Sequence, residues 1–225
     1  MQKKLPNHEA PELPAITDPA AFQGLIRYER QMPIHQISYY LCGEIQEPQY
    51  YTELFYTLRT ASETDLIYLH INSPGGDFDT GLQIINNMLA SEARVITVVE
   101  ARAYSMAAFI FLSGDELVVH DNCQLMFHIY SGSFAGKGNE QLAEVMALGS
   151  WFEKVMTRIC SPFLSNAEIS RILKGSDVWM DSDEIRKRLF RILRNKAKTK
   201  KSDSKVTIAS VDTKKRTGKK QAEEE

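Results

Sequence analysis

Cysteine is scarce in this chain. The three present, Cys42, Cys123 and Cys160, are far apart and odd in number. That pattern argues against a disulfide framework and lacks zinc-ligand spacing, so they read as buried thiols. Long apolar runs are missing as well. The longest, Ile96–Val99 and Ala107–Leu112, fall far short of the ~20 residues that a membrane-spanning helix needs. The N-terminal stretch MQKKLPNHEAPELPAITDPAAF places prolines and acids where a secretory leader needs hydrocarbon, so a cytoplasmic location is expected and no membrane partner. Neither GxxxxGK[ST] nor GxGxxG occurs, so no nucleotide and no other cofactor is expected. No aromatic residue follows Phe190, which leaves the C-terminal end without a ring for stacking a nucleic-acid base.

What remains is ordinary globular composition: 225 residues, 43% hydrophobic and 25% charged. The net charge of −2 hides an asymmetry. Twelve basic and 24 acidic residues precede Arg186, whereas 15 basic and 5 acidic residues follow from it. An acidic body therefore carries a basic tail. Residues 1–20 read as a flexible, proline-rich arm, 21–194 as one folded domain, and 195–225 as a basic, disordered tail.

Within the domain, strand and helix patterns alternate. ISYYLCGEI, DLIYLHIN, RVITVVEA, ELVVHD and QLMFHIY read as strands. EPQYYTELFYTLRTAS places Tyr51, Leu54, Phe55 and Leu58 on one helical face. TGLQIINNMLAS, YSMAAFIFLSG, a long segment over Asn139–Ile159, and SNAEISRILKGS also read as helices. VWMDSDEIRKRLFRIL begins as a short strand and continues as a basic helix, with Ser182 a candidate cap. The alternation predicts an α/β fold with a largely parallel sheet, built as a spiral of β-β-α units.

Four stretches carry candidate chemistry. In INSPGGDFDTG, Gly75 and Gly76 follow a strand and precede a helix, an arrangement that suits an oxyanion hole, a phosphate cradle or a plain turn. In AYSMAAF, Ser105 follows a buried strand at a helix start, where helix N–H groups stabilise a developing oxyanion and where serine is also a favoured cap. In QLMFHIYSGS, His128 ends an apolar strand, where a neutral imidazole can accept a serine proton or simply hold the loop. In LKGSDVWMDSDE, Asp177, Asp181, Asp183 and Glu184 cluster, and Asp177 directly precedes an apolar pair.

The runs DLIYLHINSPGGDFDTGLQIINNM, VEARAYSMAAFIFLSG and NCQLMFHIYSGSFAGKGNE together resemble the proteolytic subunit of the Clp protease, the ClpP family, over Ile37 to Arg194. The resemblance implies the ClpP/crotonase fold with a protruding handle of strand, loop and helix. It implies a serine endopeptidase with Ser105 as nucleophile, His128 as general base and Asp177 as the third triad member. Gly76 and Met106 match the oxyanion-hole donors. Extended substrate would lie beside Gly75, Asp77 and Phe78 on one side and Tyr130 and Ser131 on the other. The family assembles seven-membered rings, two of which stack through the handle helix, and receives unfolded chains from a hexameric ATP-dependent unfoldase.

Two departures stand out. The family's usual Gln-Pro after the catalytic histidine is Ile129-Tyr130 here, and its charged acid–arginine pair before the catalytic aspartate is Gly175-Ser176. The second bears on ring–ring contact. The N-terminal arm does not resemble the family's axial loop, and the basic tail is an addition. A divergent member, viral or cellular, is implied. Rival readings are a catalytically inactive ring subunit, a crotonase-type acyl-CoA enzyme, and a Ser/Lys signal-peptidase-like enzyme. The second gives no reason for Ser105 and His128 to coexist. The third finds no lysine well placed for Ser105.

Overall fold

The computed structural model describes residues 34–195. The expected arm at 1–20 and nearly all of the expected tail lie outside them. Six strands form one sheet: β1 (Gln36–Cys42), β2 (Leu66–Ser73), β3 (Arg94–Tyr104), β4 (Glu116–Val119), β5 (Gln124–Phe127) and β6 (Val178–Asp181). Their order is β1-β2-β3-β5-β6, with β4 also on β3. All pairings are parallel except β5 with β6. The helices are α1 (Thr52–Thr60), α2 (Phe78–Leu89), α3 (Met106–Leu112), α4 (Gly138–Cys160) and α5 (Asn166–Leu173), with α6 at 182–195. This is the mixed α/β architecture expected, with a largely parallel sheet.

Burial follows strand position. In β3, Val95 through Val99 are all buried, as a central strand covered on both faces requires. In β2, Ile67, Leu69, Ile71 and Ser73 alternate inward. In β1 only Leu41 is buried, the mark of an edge. Helix α3 buries every residue from Met106 to Phe111, and a helix apolar on all sides belongs inside a core. Its last carbonyls are satisfied partly by the buried Thr97 hydroxyl, which donates to Phe111 O at 2.8 Å.

Strand β3 extends beyond the expected Ala101 to Tyr104 because it changes partners along its length. Ile96–Val99 pair with β4 and Arg102–Tyr104 pair with β5. Between them the register against β2 slips: Ile71 faces Val99, yet Ser73 faces Ala103. The extra residues form a bulge that bends the strand and carries its end towards the end of β5. That end is Phe127 rather than Tyr130, so His128 lies just past the strand.

The start of α6 corrects a second expectation. Ser182 does not cap the helix: its hydroxyl donates to Asp121 O at 2.5 Å. Asp181 Oδ1 accepts the Glu184 N–H at 2.9 Å and does the capping. The predicted helix at the first pattern begins as a short 3-10 turn, Pro48–Tyr51, before α1, and only Leu54 and Leu58 of its apolar stripe are buried. At α5 the cap, which the spacing to Glu168 leaves between Ser165 and Asn166, is Ser165, and Ser165 and Glu168 form a capping box. Among the described residues no helix is long and apolar enough to cross a membrane.

Candidate active site

The SPGG loop is built by backbone necessity. Gly75 and Gly76 have φ of 96° and 145°, a region that side chains avoid. A Cβ on Gly75 would stand 2.7 Å from Ser105 Cβ and from Tyr104 O, and one on Gly76 would stand 2.3 Å from Ile45 O. Two hydrogen bonds pin the loop, from Ile45 N–H to Gly75 O at 2.8 Å and from Asp77 N–H to Ile45 O at 2.9 Å. The Asp77 side chain is committed to structure: its Oδ1 accepts the Thr80 N–H at 2.7 Å and caps α2. Phe78 then opens α2 beside the site.

Ser105 sits between β3 and α3 with φ 53° and ψ −126°. Among the described residues it is the one non-glycine residue with positive φ. Such a residue costs on the order of 1–3 kcal/mol and persists only where its surroundings enforce it. Here Ser105 N–H donates to Met126 O at 2.8 Å, and Ser105 O accepts from Ala108 N–H at 3.0 Å. Though it occupies the cap position of α3, its hydroxyl makes no capping bond. The capping alternative is thereby removed, and the side chain faces a cavity instead.

That cavity is lined by Gly76, Phe78, Ser105, Met106, Phe109, His128, Tyr130, Ser131 and Phe152. It thus brings together Ser105, His128, both expected oxyanion donors, and Phe78, Tyr130 and Ser131 of the expected substrate contacts. Met106 is the first residue of α3, so its N–H has no partner within the helix. Among the described residues neither it nor the Gly76 N–H donates to a protein acceptor. Two open N–H groups beside a serine hydroxyl are what an acyl-transfer site needs for a developing oxyanion.

Asp177 is exposed and does not line the cavity. The antiparallel register of β5 and β6 ends at Phe127 opposite Val178, and one further step sets His128 opposite Asp177. Among the described residues no hydrogen bond joins Ser105, His128 and Asp177. Phe109 and Phe152 carried no site expectation. Phe109 lies one helical turn beyond Ser105 on α3, a spacing that could have flagged it. Phe152, on α4, comes from a distant segment with no local signal.

Comparison with known proteins agrees with this geometry. The sequence profile described as Clp protease matches residues 34–188, which include every residue of the cavity. The ATP-dependent Clp protease proteolytic subunit of Lactococcus lactis subsp. cremoris (strain SK11) is 30% identical over 133 residues, covering 56% of this chain and 66% of that relative. The chain thus spans just under two thirds of that relative's length. A strand-loop-helix holding Gly-Gly against a strained serine, with a histidine across the cavity and a profile match over most of the chain, supports one conclusion: the chain belongs to the Clp protease family.

Proposed function

We propose that the protein is a serine endopeptidase that cleaves unfolded polypeptide inside an oligomeric chamber, with Ser105, His128 and Asp177 as its triad. The observation that carries this reading is the strained, uncapped Ser105 opening onto a cavity that also holds His128 and two unpartnered N–H groups. In the proposed reaction His128 takes the Ser105 proton as Oγ bonds to the peptide carbonyl carbon. The oxyanion lies between the Gly76 and Met106 N–H groups. Its collapse breaks the C–N bond, and the proton on His128 passes to the leaving amine. Water, deprotonated by His128, then releases the acid and restores Ser105.

An inactive subunit of the same fold is the second reading, favoured by the missing hydrogen bonds among the three side chains. Catalytic bonds are often loose before substrate arrives, and assembly of the ring supplies a further occasion for alignment. Fluorophosphonate labelling with mass spectrometry separates the two. An adduct on Ser105, lost in Ser105→Ala, is expected. No adduct on any species from a sizing column would leave the inactive reading standing.

Assembly through α4 is supported by its burial pattern. Its first half buries no side chain, and Leu142, Val145 and Met146 form an exposed apolar stripe. A stripe of this spacing on a solvent-facing helix fits contact with another copy, as the two stacked rings of the family would provide. Leu142→Asp combined with Met146→Asp is expected to halve the particle mass in sedimentation. An unchanged mass would remove α4 as the contact between rings. Delivery of substrate by a hexameric ATP-dependent unfoldase belongs to the same proposal, ATP use residing in that partner.

A further inference from the structure

At the end of the sheet where the three triad candidates meet, one face carries a row of large side chains. Tyr104, Met126 and Trp179 are register partners across β3, β5 and β6. The same strands bury Ala103, Leu125 and Met180 on the opposite face, so the row lies on the outer one. Trp179 is 53% exposed there, although tryptophan is a highly buried residue type on average. Its ring packs edge-on against Tyr104, with centroids 5.2 Å apart and planes at 73°. Because β5 lies between β3 and β6, this contact bridges the intervening strand at Met126. The neighbouring row steadies Tyr104. Its hydroxyl donates to Gln124 Oε1 at 2.6 Å, and the Arg102 guanidinium lies 5.7 Å from its ring centre.

Each member of the row adjoins a triad candidate. Tyr104 directly precedes Ser105. Met126 comes two residues before His128, and its carbonyl accepts the Ser105 N–H at 2.8 Å. Trp179 comes two residues after Asp177. Side chains alternate along a strand, so one further pair of the β5–β6 register sets Asp177 opposite His128 on the face that carries Met126 and Trp179. Strand β6 has only four residues and β5 as its one strand partner. So short an edge strand depends on its side-chain contacts for its place. Met180 anchors it on the buried face, and Trp179 anchors it on the outer face by reaching past β5 to β3. We propose that Trp179 is a positioning residue: its stack on Tyr104 holds β6 against β3 and so keeps Asp177 opposite His128. This rests on Ser105, His128 and Asp177 acting as the triad. A misplacement of about 1 Å in a catalytic arrangement costs about 100-fold in rate, the scale on which a loosened edge strand acts.

The test uses the full chain and one quenched fluorescent peptide. Trp179→Ala is expected to lower kcat about 10- to 100-fold with KM unchanged, because Trp179 does not line the cavity and its loss removes no substrate contact. Tyr104→Leu breaks the same stack from the β3 side and is expected to do likewise. Trp179→Phe keeps a ring and is expected to restore kcat. Asp177→Asn decides what the stack acts through: in that background Trp179→Ala is expected to have no further effect on kcat. A loss of equal size with and without the Asp177 carboxylate points to a merely structural role. That result, an unchanged kcat in Trp179→Ala, or a Trp179→Phe as slow as Trp179→Ala overturns the positioning role and leaves the triad reading intact. Asp177→Asn that cleaves as fast as wild type overturns Asp177 as a triad member and this inference with it. Wild type that neither cleaves the peptide nor takes a fluorophosphonate on Ser105 overturns the serine reading itself.

Discussion

Ser105→Gly is expected to abolish peptide cleavage and at the same time to make the protein more heat-stable. Loss of a triad nucleophile removes up to about 10⁶-fold in kcat. The gain in stability has a separate source. At φ 53° and ψ −126° a Cβ is strained, at a cost of about 1–3 kcal/mol, whereas glycine adopts that conformation freely. Part of the relief is offset by the larger entropy of glycine in the unfolded chain. A net gain of about 1 kcal/mol raises Tm by about 2–4 °C in a domain of this size. Ser105→Ala supplies the control, because it loses the hydroxyl but keeps the Cβ. It should be equally inactive without the rise in Tm. Equal melting temperatures for the two variants, measured by calorimetry, would mean that the serine backbone stores no strain. The expected pairing of lost activity with gained stability is that of a residue held for chemistry against its conformational preference.

Much of this architecture is legible from local pattern. The β3 run and the α3 segment announce themselves as buried because their apolar residues are continuous, and the spacing to Glu168 narrows the cap of α5 to Ser165 or Asn166, of which the structure uses Ser165. Other features depend on partners far along the chain. The bulge over residues 100–102 arises because β3 serves β4 and then β5, a demand that no local window contains. The positive φ of Ser105, at the junction of β3 and α3, has no local signal either, because glycine, the residue that would announce it, carries no hydroxyl. Locally, Ser105 reads more readily as a cap or a small core residue than as a nucleophile. Only its juxtaposition with Gly75, Gly76 and His128 separates the two, and that juxtaposition is tertiary. The family resemblance pointed to the same residues in advance by matching the motifs as a set. Asp177 shows the remaining gap: pattern and register both bring it towards His128, yet the exposed carboxylate makes no bond to the imidazole in the single chain. The cap of α6 fails for a similar reason. Ser182 is a possible cap by residue type, as is Asp181, but the Ser182 hydroxyl donates to the Asp121 carbonyl.

Arg188→Met is expected to produce the largest loss of stability. Arg188 lies on α6, 15% exposed, and its guanidinium forks onto the Glu168 carboxylate at 2.7 and 3.1 Å. It also donates to Glu184 Oε1 at 2.7 Å and to Phe163 O at 3.2 Å, and stacks over the Phe163 ring. One side chain thus ties α6 to α5 and to the turn between α4 and α5. Its hydrogen bonds hold the Glu168 carboxyl down to about 2, helped by those from Ser165 and opposed by burial. Removing the arginine leaves a part-buried carboxylate, 16% exposed, without its counter-charge and its two hydrogen bonds, a change that costs about 1–3 kcal/mol. In Tm this amounts to a drop of about 2–12 °C. The pH dependence gives the sharper signature. Because the folded carboxyl is depressed, its contribution is complete above the unfolded value near 4.5 and is lost as pH falls towards 2. The lowering corresponds to about 3 kcal/mol. Wild type should therefore lose stability steeply between pH 4.5 and 2, and Arg188→Met should flatten that limb while lying below wild type at pH 7. Denaturant titrations across this range measure both. A limb of undiminished slope in the variant would show that other carboxylates, and not Glu168, govern acid unfolding.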